Sequence, residues 1–401
     1  MIICIVTIIL LELLHGCSSK FYIYDWPDLV DRYANYTDRP HHSHGVEFPR
    51  WTEHHGAGRL INATTMEYKT SQFSLFKIMY ERALIDNRRT MDPMEANSFL
   101  IPFDIGMHAA FFEQHGRMRK THCPLAPLVV ERLKQSPFFK AKFGHDHTLI
   151  MSINQNMNYF MGAEKCQHLM RTCWNCTKLS IDEYLFIGKE REFEIRERGI
   201  NWHAVPFPSD YHFSYGPNGE LTTPPWKFTN DRTTLISFIG NPRRFNEWST
   251  YIREALVVQC KNHPNDCQHG LYKHDSKSSL NQLALESVFC LQPPGDMPTR
   301  KSLFDAILSG CIPVLFHPLT ARYMYEWHLG QIMWEAISIN FDTMNDQQEL
   351  INNRVDYIQK LVDLYKNHPE IIKEKQNLIK KYASQLQYGK SHRHSSSTHK
   401  S

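Results

Sequence analysis

Eight short runs of apolar, largely β-branched or aromatic residues set the terms for any fold of this chain: 21–25, 98–103, 148–153, 202–207, 234–239, 288–291, 312–316 and 336–341. None approaches the roughly 20 residues that cross a bilayer, and each has the length of a buried strand. Amphipathic patterns fall between several of them. In 71–84, Phe73, Phe76, Ile78, Met79, Tyr80 and Leu84 recur near helical spacing, and 246–260 and 278–285 behave alike. Strands alternating with helices predict an α/β architecture built on parallel sheets.

A chain of 401 residues has room for two such domains. One composition shift divides it: 209–231 carries two Gly, three Pro and no periodic run, and reads as a linker. The expected organisation is a leader at 1–19, an N-terminal domain at 20–208, the linker, a C-terminal domain at 232–345, a helical segment at 346–388, and a low-complexity, disordered tail at 389–401. A net charge of +3 provides no concentrated basic face, which argues against a nucleic-acid partner.

The leader, MIICIVTIILLELL, is broken only by Thr7 and Glu12. It resembles the apolar part of a signal peptide followed by the small residues Gly16, Ser18 and Ser19, but it lacks a basic start. A cleaved leader and a short, uncleaved signal-anchor are both open. Sequons at Asn35, Asn62 and Asn175 agree with entry into a secretory lumen. There the cysteines read as disulfide candidates: Cys260 with Cys267 around a small loop, and Cys166, Cys173 and Cys176 in a cluster, with pairing open. Cys173 and Cys176 have CxxC spacing, yet no second CxxC completes a zinc site. The histidines at 41–44 and 54–55 lack a matching carboxylate pattern, so no metal site is expected.

The stretch SVFCLQPPGDMPTRKSLFDAILSGCIPVLF at 287–316 concentrates chemistry. With 288–293 as a strand and 299–309 as a helix, the turn between them lies at the carboxyl end of a strand and feeds a helix start. Ligands of open α/β sheets bind there, and the free N–H groups of the helix start favour anions. Gly295 allows close backbone approach, and Arg300 adds a fork matched to phosphate. Leu303, Phe304, Ile307 and Leu308 form the buried stripe, whereas Asp305 falls off it, one turn beyond Lys301, where it can accept from sugar hydroxyls. The plainer alternative makes Thr299 a cap and Lys301–Asp305 a surface pair.

That stretch resembles the signature of exostosin-type glycosyltransferases, notably the plant xyloglucan galactosyltransferase branch. The likeness continues in order through QFSLFKIMYERAL, NSFLIPFDIG, GHDH, WHAVPFPSDYH and LISFIGNPRR, and covers roughly 20–330. It implies a GT-B fold, two Rossmann-like domains facing across a cleft, with a sugar nucleotide held mainly by the C-terminal one and inversion at the anomeric carbon. By the resemblance, Gly240, Arg243 and Arg244 face a diphosphate, as do Gly295, Asp296, Thr299 and Arg300, with Lys301 nearby, and Asp305 corresponds to the acid that holds a ribose. The chain departs from its relatives at Lys301, where many carry a second Arg, and at Asp104 and His108, where plant members usually have an aromatic and an acid.

Inverting transfer needs a stabilised leaving diphosphate and a base. Arg300, Arg243 and the helix start supply the first without a metal, and the chain has no Asp-x-Asp motif. Asp104, His108, Asp146 and His147 are the candidate bases on the N-terminal domain. The expected activity is transfer of a sugar, with galactose foremost, from a UDP-sugar to a polysaccharide or glycoprotein glycan. No bound cofactor is expected. The setting would be the Golgi lumen as a single-pass type II membrane protein, or the secretory lumen if the leader is cleaved, alone or oligomerised with other transferases. The alternative is a catalytically inactive exostosin-fold carbohydrate-binding or partner subunit. HExxH, Walker A and GxGxxG patterns are absent.

Overall fold

A computed structural model describes residues 19–29, 42–43, 46–47, 53–105, 125–152, 164–182, 201–214, 221–227, 232–242, 247–270, 280–295, 297–341 and 355–388. The leader, the tail, Asn35, His108, Arg243, Arg244 and Asp296 lie outside the described residues, and so does the side chain of Cys166. Two compact units emerge, Met1–Arg59 with Thr70–Pro208, and Leu60–Lys69 with Ser209–Ser401.

The first unit is built on a parallel sheet of β1 (Phe21–Ile23), β2 (Ser98–Ile101), β3 (His147–Met151), β4 (Thr177–Ser180) and β5 (Trp202–Ala204), in that spatial order. Its register aligns Phe21 with Ser98, Phe99 with His147, and Leu149 with Lys178. Helices α1 (Leu75–Ile85), α2 (Ala126–Gln135), α3 (Pro137–Lys142) and α4 (Glu164–Thr172) join the strands. Leu29, Ile101, Phe103, Val129, Leu133, Leu149 and Leu169 belong to one buried cluster. Strand β4, sequence TKLS, has no apolar signature, yet all four residues are buried. Lys178 tolerates this because its ammonium donates to Trp174 O at 2.8 Å and Cys176 O at 2.9 Å, which meets the hydrogen-bonding demand of a buried cation. Contrary to the expected disulfide role, Cys173 and Cys176 are buried free thiols.

The second unit carries β6 (Thr234–Ile239), β7 (Cys267–Gly270), β8 (Ser287–Gln292), β9 (Ile312–Leu315) and β10 (Ile339–Asn340), all parallel, in the order β7-β6-β8-β9-β10. Its longer helices among the described residues are α5 (Glu247–Asn262), α6 (Leu280–Glu286), α7 (Lys301–Leu308), α8 (Gln331–Ile337), α9 (Tyr357–Asn367) and α10 (Pro369–Tyr382). The first half of the strand expected at 336–341 is therefore helix and helix end, and only Ile339–Asn340 is strand. Trp334 and Ile337, three apart and both fully buried, give that segment a helical face. Of the helical segment expected at 346–388, the described residues 355–388 carry two α-helices, parted at His368-Pro369 because proline cannot donate the N–H that continuity requires. Disulfides join Cys260 to Cys267, as expected, and Cys290 to Cys311.

The expected linker begins with structure. Tyr211, His212 and Phe213 are buried, Tyr68 N donates to Asp210 O at 2.7 Å, and His212 N donates to Met66 O at 3.1 Å. These bonds explain why Leu60–Lys69, a two-stranded segment placed in the N-terminal domain by sequence order, packs with the second unit. Asn62 is exposed in this segment, its Oδ1 accepting from Thr64 N at 2.9 Å, whereas Asn175 Nδ2 donates to Phe143 O at 3.2 Å. Among the described residues no helix is long and apolar enough to cross a membrane.

Candidate active site

The order of the second sheet reverses between β6 and β8: the chain leaves β6 for β7 on one side, then crosses to β8 on the other. A parallel sheet wound both ways opens a crevice outside the carboxyl ends of the strands at the point of reversal. Two loops meet there, one leaving β6 at Gly240 and the other leaving β8 at Pro293.

Two guanidinium groups tie these loops together. Arg300 Nη1 donates to Pro293 O at 3.1 Å and Nη2 to Ile239 O at 3.0 Å. Arg253, from α5 and fully buried, donates through Nε to Pro294 O at 2.6 Å and through Nη1 to Asn241 O at 2.7 Å. Its guanidinium lies 5.6 Å from the Phe238 ring centroid, a cation–π distance. Gly240 sits between the two at φ +148°, where an added Cβ would come within 3.1 Å of Arg300 Nη2 and 3.2 Å of Arg253 Nη1. Both the torsion and the crowding therefore call for glycine. At Gly295 an added Cβ would meet nothing closer than 3.7 Å, so the chain itself makes no such demand there.

Helix α7 starts where the β8 loop ends. Its N-cap is Arg300, whose side chain makes no capping bond, so the expected cap, Thr299, does not act as one. Thr299 Oγ1 instead meets Tyr325 Oη at 3.0 Å, and Thr320 Oγ1 donates to Pro298 O at 3.0 Å, so the segment after β9 braces the loop.

Asp305 differs from its expected position. It is buried with the α7 stripe, and both oxygens accept from Lys301 Nζ, at 3.0 and 2.8 Å, while Oδ1 also accepts from Asp210 N at 2.9 Å. Lys301 Nζ reaches Asp210 Oδ1 at 2.6 Å as well, and Asn281 Nδ2 links Asp210 Oδ2 to Glu67 Oε1, both at 3.0 Å. In this arrangement Lys301 and Asp305 fasten α7 to the 210 segment instead of forming a surface pair or opening onto a ribose. Burial pushes the Asp305 carboxyl up to about 6, against the pull of Lys301 and with the push of Asp210. The Lys301 ammonium is raised because Asp210 and Asp305 outweigh its own burial.

In the first unit the candidate bases separate by end of sheet. Asp104 follows the carboxyl end of β2 and is almost fully buried. Its Oδ2 accepts from Ser152 Oγ at 3.0 Å, just past the carboxyl end of β3, and Ser152 Oγ accepts from Phe76 N at 2.7 Å. Asp146 and His147 lie at the amino end of β3. His147 Nδ1 is 2.8 Å from Asp146 Oδ1, and its Nε2 is 2.7 Å from Tyr24 Oη, which also meets Ser136 Oγ at 2.8 Å. Phe99 stacks on the imidazole at 4.8 Å and Phe139 meets it edge-on at 5.0 Å. Burial would raise the Asp146 carboxyl, but His147 and Lys142 bring it below its ordinary value. Burial foremost holds the Tyr24 phenol well above its own.

Arg253 was not singled out from sequence. Its signal was its place in α5: Ser249, Arg253, Leu256 and Cys260 repeat at helical spacing and all are buried. Among the described residues, no group of three His, Cys, Asp or Glu side chains is arranged to hold a metal ion.

A doubly wound sheet with cations at its point of reversal is the construction of α/β proteins that bind phosphate-bearing ligands. Residues 17–354 match the Exostosin GT47 domain, and the chain belongs to that family. It is 29% identical over 334 residues to the xyloglucan-specific galacturonosyltransferase 1 of Arabidopsis thaliana, covering 79% of this chain and 46% of that protein. It is 30% identical over 282 residues to the xyloglucan galactosyltransferase MUR3 of the same plant, covering 65% of this chain and 41% of that protein. The chain thus spans less than half the length of either relative. Among solved structures, the pneumococcal O-GlcNAc transferase GtfA superposes on 65% of this chain and 56% of its own with a TM-score of 0.35 and 10% identity, too loosely to bear on the site.

Proposed function

We propose that this protein is an inverting glycosyltransferase that moves a sugar, galactose foremost, from a UDP-sugar to a polysaccharide glycan, in the Golgi lumen and without a metal. The observation that carries the reading is Arg300 and the start of α7 at the reversal of a doubly wound sheet, in a chain of the exostosin GT47 family.

The chemistry follows from the charges. An acceptor hydroxyl attacks the anomeric carbon, the new C–O bond forms as the bond to the diphosphate breaks, and the bonding electrons leave with the phosphate oxygen. Negative charge grows on the diphosphate, where Arg300 and the α7 N–H groups stabilise it more in the transition state than in the ground state. The acceptor proton goes to a base. Asp104 takes that role in this proposal because it stands at the carboxyl edge of its sheet, whereas Asp146 and His147 lie at the opposite edge.

The test is to make the full chain in a secretory host and measure binding of UDP-galactose, UDP-glucuronic acid, UDP-xylose and UDP-arabinose, with and without EDTA. Binding that survives EDTA and is lost in Arg300→Ala supports the proposal. A folded wild type that binds none of them overturns it.

A further inference from the structure

Gln292 is the last residue of β8, aligned with Leu315 of β9, and is 4% exposed. Its Oε1 accepts from Ser302 Oγ, in the first turn of α7, at 2.8 Å. That bond fixes the amide plane at the helix start. Its Nε2 has no hydrogen-bond partner among the described residues. Nε2 is not one of the fully buried unpaired polar atoms of the described residues, so it stays open to an acceptor from outside. Two features close to this residue suit an acceptor with negative charge: the N–H groups of the α7 start, and the Arg300 guanidinium bonded to Pro293 O on the adjacent residue. Among the described residues the chain supplies donors here and no acceptor for Nε2.

We propose that Gln292 is a donor-recognition residue whose Nε2 donates to an oxygen of the nucleoside diphosphate, with Ser302 as the residue that positions it. This rests on the function proposed above. A hydrogen bond to a charged oxygen contributes more than one to a neutral group. A glutamate in its place presents a second anion to the diphosphate.

The experiment measures binding of UDP and of uridine to the full chain, for wild type, Gln292→Ala, Gln292→Glu and Ser302→Ala, with thermal unfolding as the check of folding. Gln292→Ala is expected to weaken UDP binding about tenfold, Gln292→Glu more, and Ser302→Ala about threefold, with uridine binding unchanged in all of them. Should a Gln292 variant fail to fold, Ser302→Ala carries the test: UDP binding weakened with uridine binding unchanged supports the assignment, and UDP binding equal to wild type overturns it. UDP binding by Gln292→Glu within twofold of wild type overturns it too, as does an equal loss for UDP and uridine. A wild type that binds neither sinks the proposed function itself, an outcome distinct from a wild type that binds UDP while Gln292→Glu does so equally well.

Discussion

Among the described residues the two sheets have five parallel strands each and wind differently. In the first unit every new strand is added on the same side, so the order never reverses. In the second it reverses between β6 and β8. In the first unit, Ser136, Tyr24, His147 and Asp146 form a chain in which each group meets the next, packed among aromatic rings. In the second, Arg253 and Arg300 donate to main-chain carbonyls on both sides of the reversal. A carbonyl satisfies a guanidinium's geometry without cancelling its charge, so the field remains to act on an anion. The polar chain around His147 holds a scaffold together, and the two guanidinium groups at the reversal of the second sheet keep their charge beside its loops.

The comparison breaks most sharply if the first unit also performs chemistry at its carboxyl edge. Asp104→Asn keeps the size of the side chain and removes the basic carboxylate. It is expected to lower kcat about a hundredfold or more while UDP binding stays at the wild-type level. Turnover within twofold of wild type would reduce Asp104 to a brace for Ser152.

A smaller effect sharpens the scaffold side. His147→Ala opens a buried, hydrogen-bonded position and is expected to cost about 3 kcal/mol in urea unfolding; Tyr24→Phe should cost about 1 kcal/mol. Turnover per folded molecule should not change in either. A tenfold loss of kcat at unchanged stability would make the His147 chain catalytic and erase the contrast.

The smallest effect concerns pH. The Asp305 carboxyl sits at about 6 in the folded protein, above the 3.8 of an ordinary aspartate. The folded state therefore holds the proton more tightly than the unfolded chain. The stability this group contributes is complete below pH 4 and is lost as pH rises through 6. Asp305→Asn has no such proton. The stability of wild type relative to Asp305→Asn should fall by about 1–2 kcal/mol between pH 4.5 and 7.5, measured by urea unfolding at each pH. A rise over the same range would show that Lys301 dominates and that the carboxyl is depressed.

Where side chains alone decide, the sequence was legible. Strand β6 runs over the six residues expected, Thr234–Ile239, because its β-branched and aromatic residues leave no competing pattern. Strand β4 was missed because TKLS is buried without an apolar run, and β7 because CQHG has no apolar run either, with Cys267 buried and Gln268 exposed. The same holds in the site. Pro293, Gly295 and Gly310 punctuate the loop and helix visibly, so Arg300 was found. Arg253 was passed over because an arginine in a helix is ordinarily solvated. Asp305 was placed on the open side because a helical wheel cannot see the 210 segment that covers it.

The disulfide between Cys290 and Cys311 has a practical consequence. It spans 21 positions and encloses the whole β8 loop and α7, with Gln292, Arg300 and Asp305 inside a single covalent circuit. Closing a loop of that length removes conformational freedom from the unfolded chain worth about 3 kcal/mol in the chain-entropy model. Protein made in a reducing cytosol would forgo that stabilisation across the proposed donor site, which makes an oxidising host the appropriate source for every measurement above. A protease cut between Leu291 and Gly310 would also leave both fragments tethered. They would migrate as one band until a reductant is added, which offers a direct view of whether the site's frame is intact.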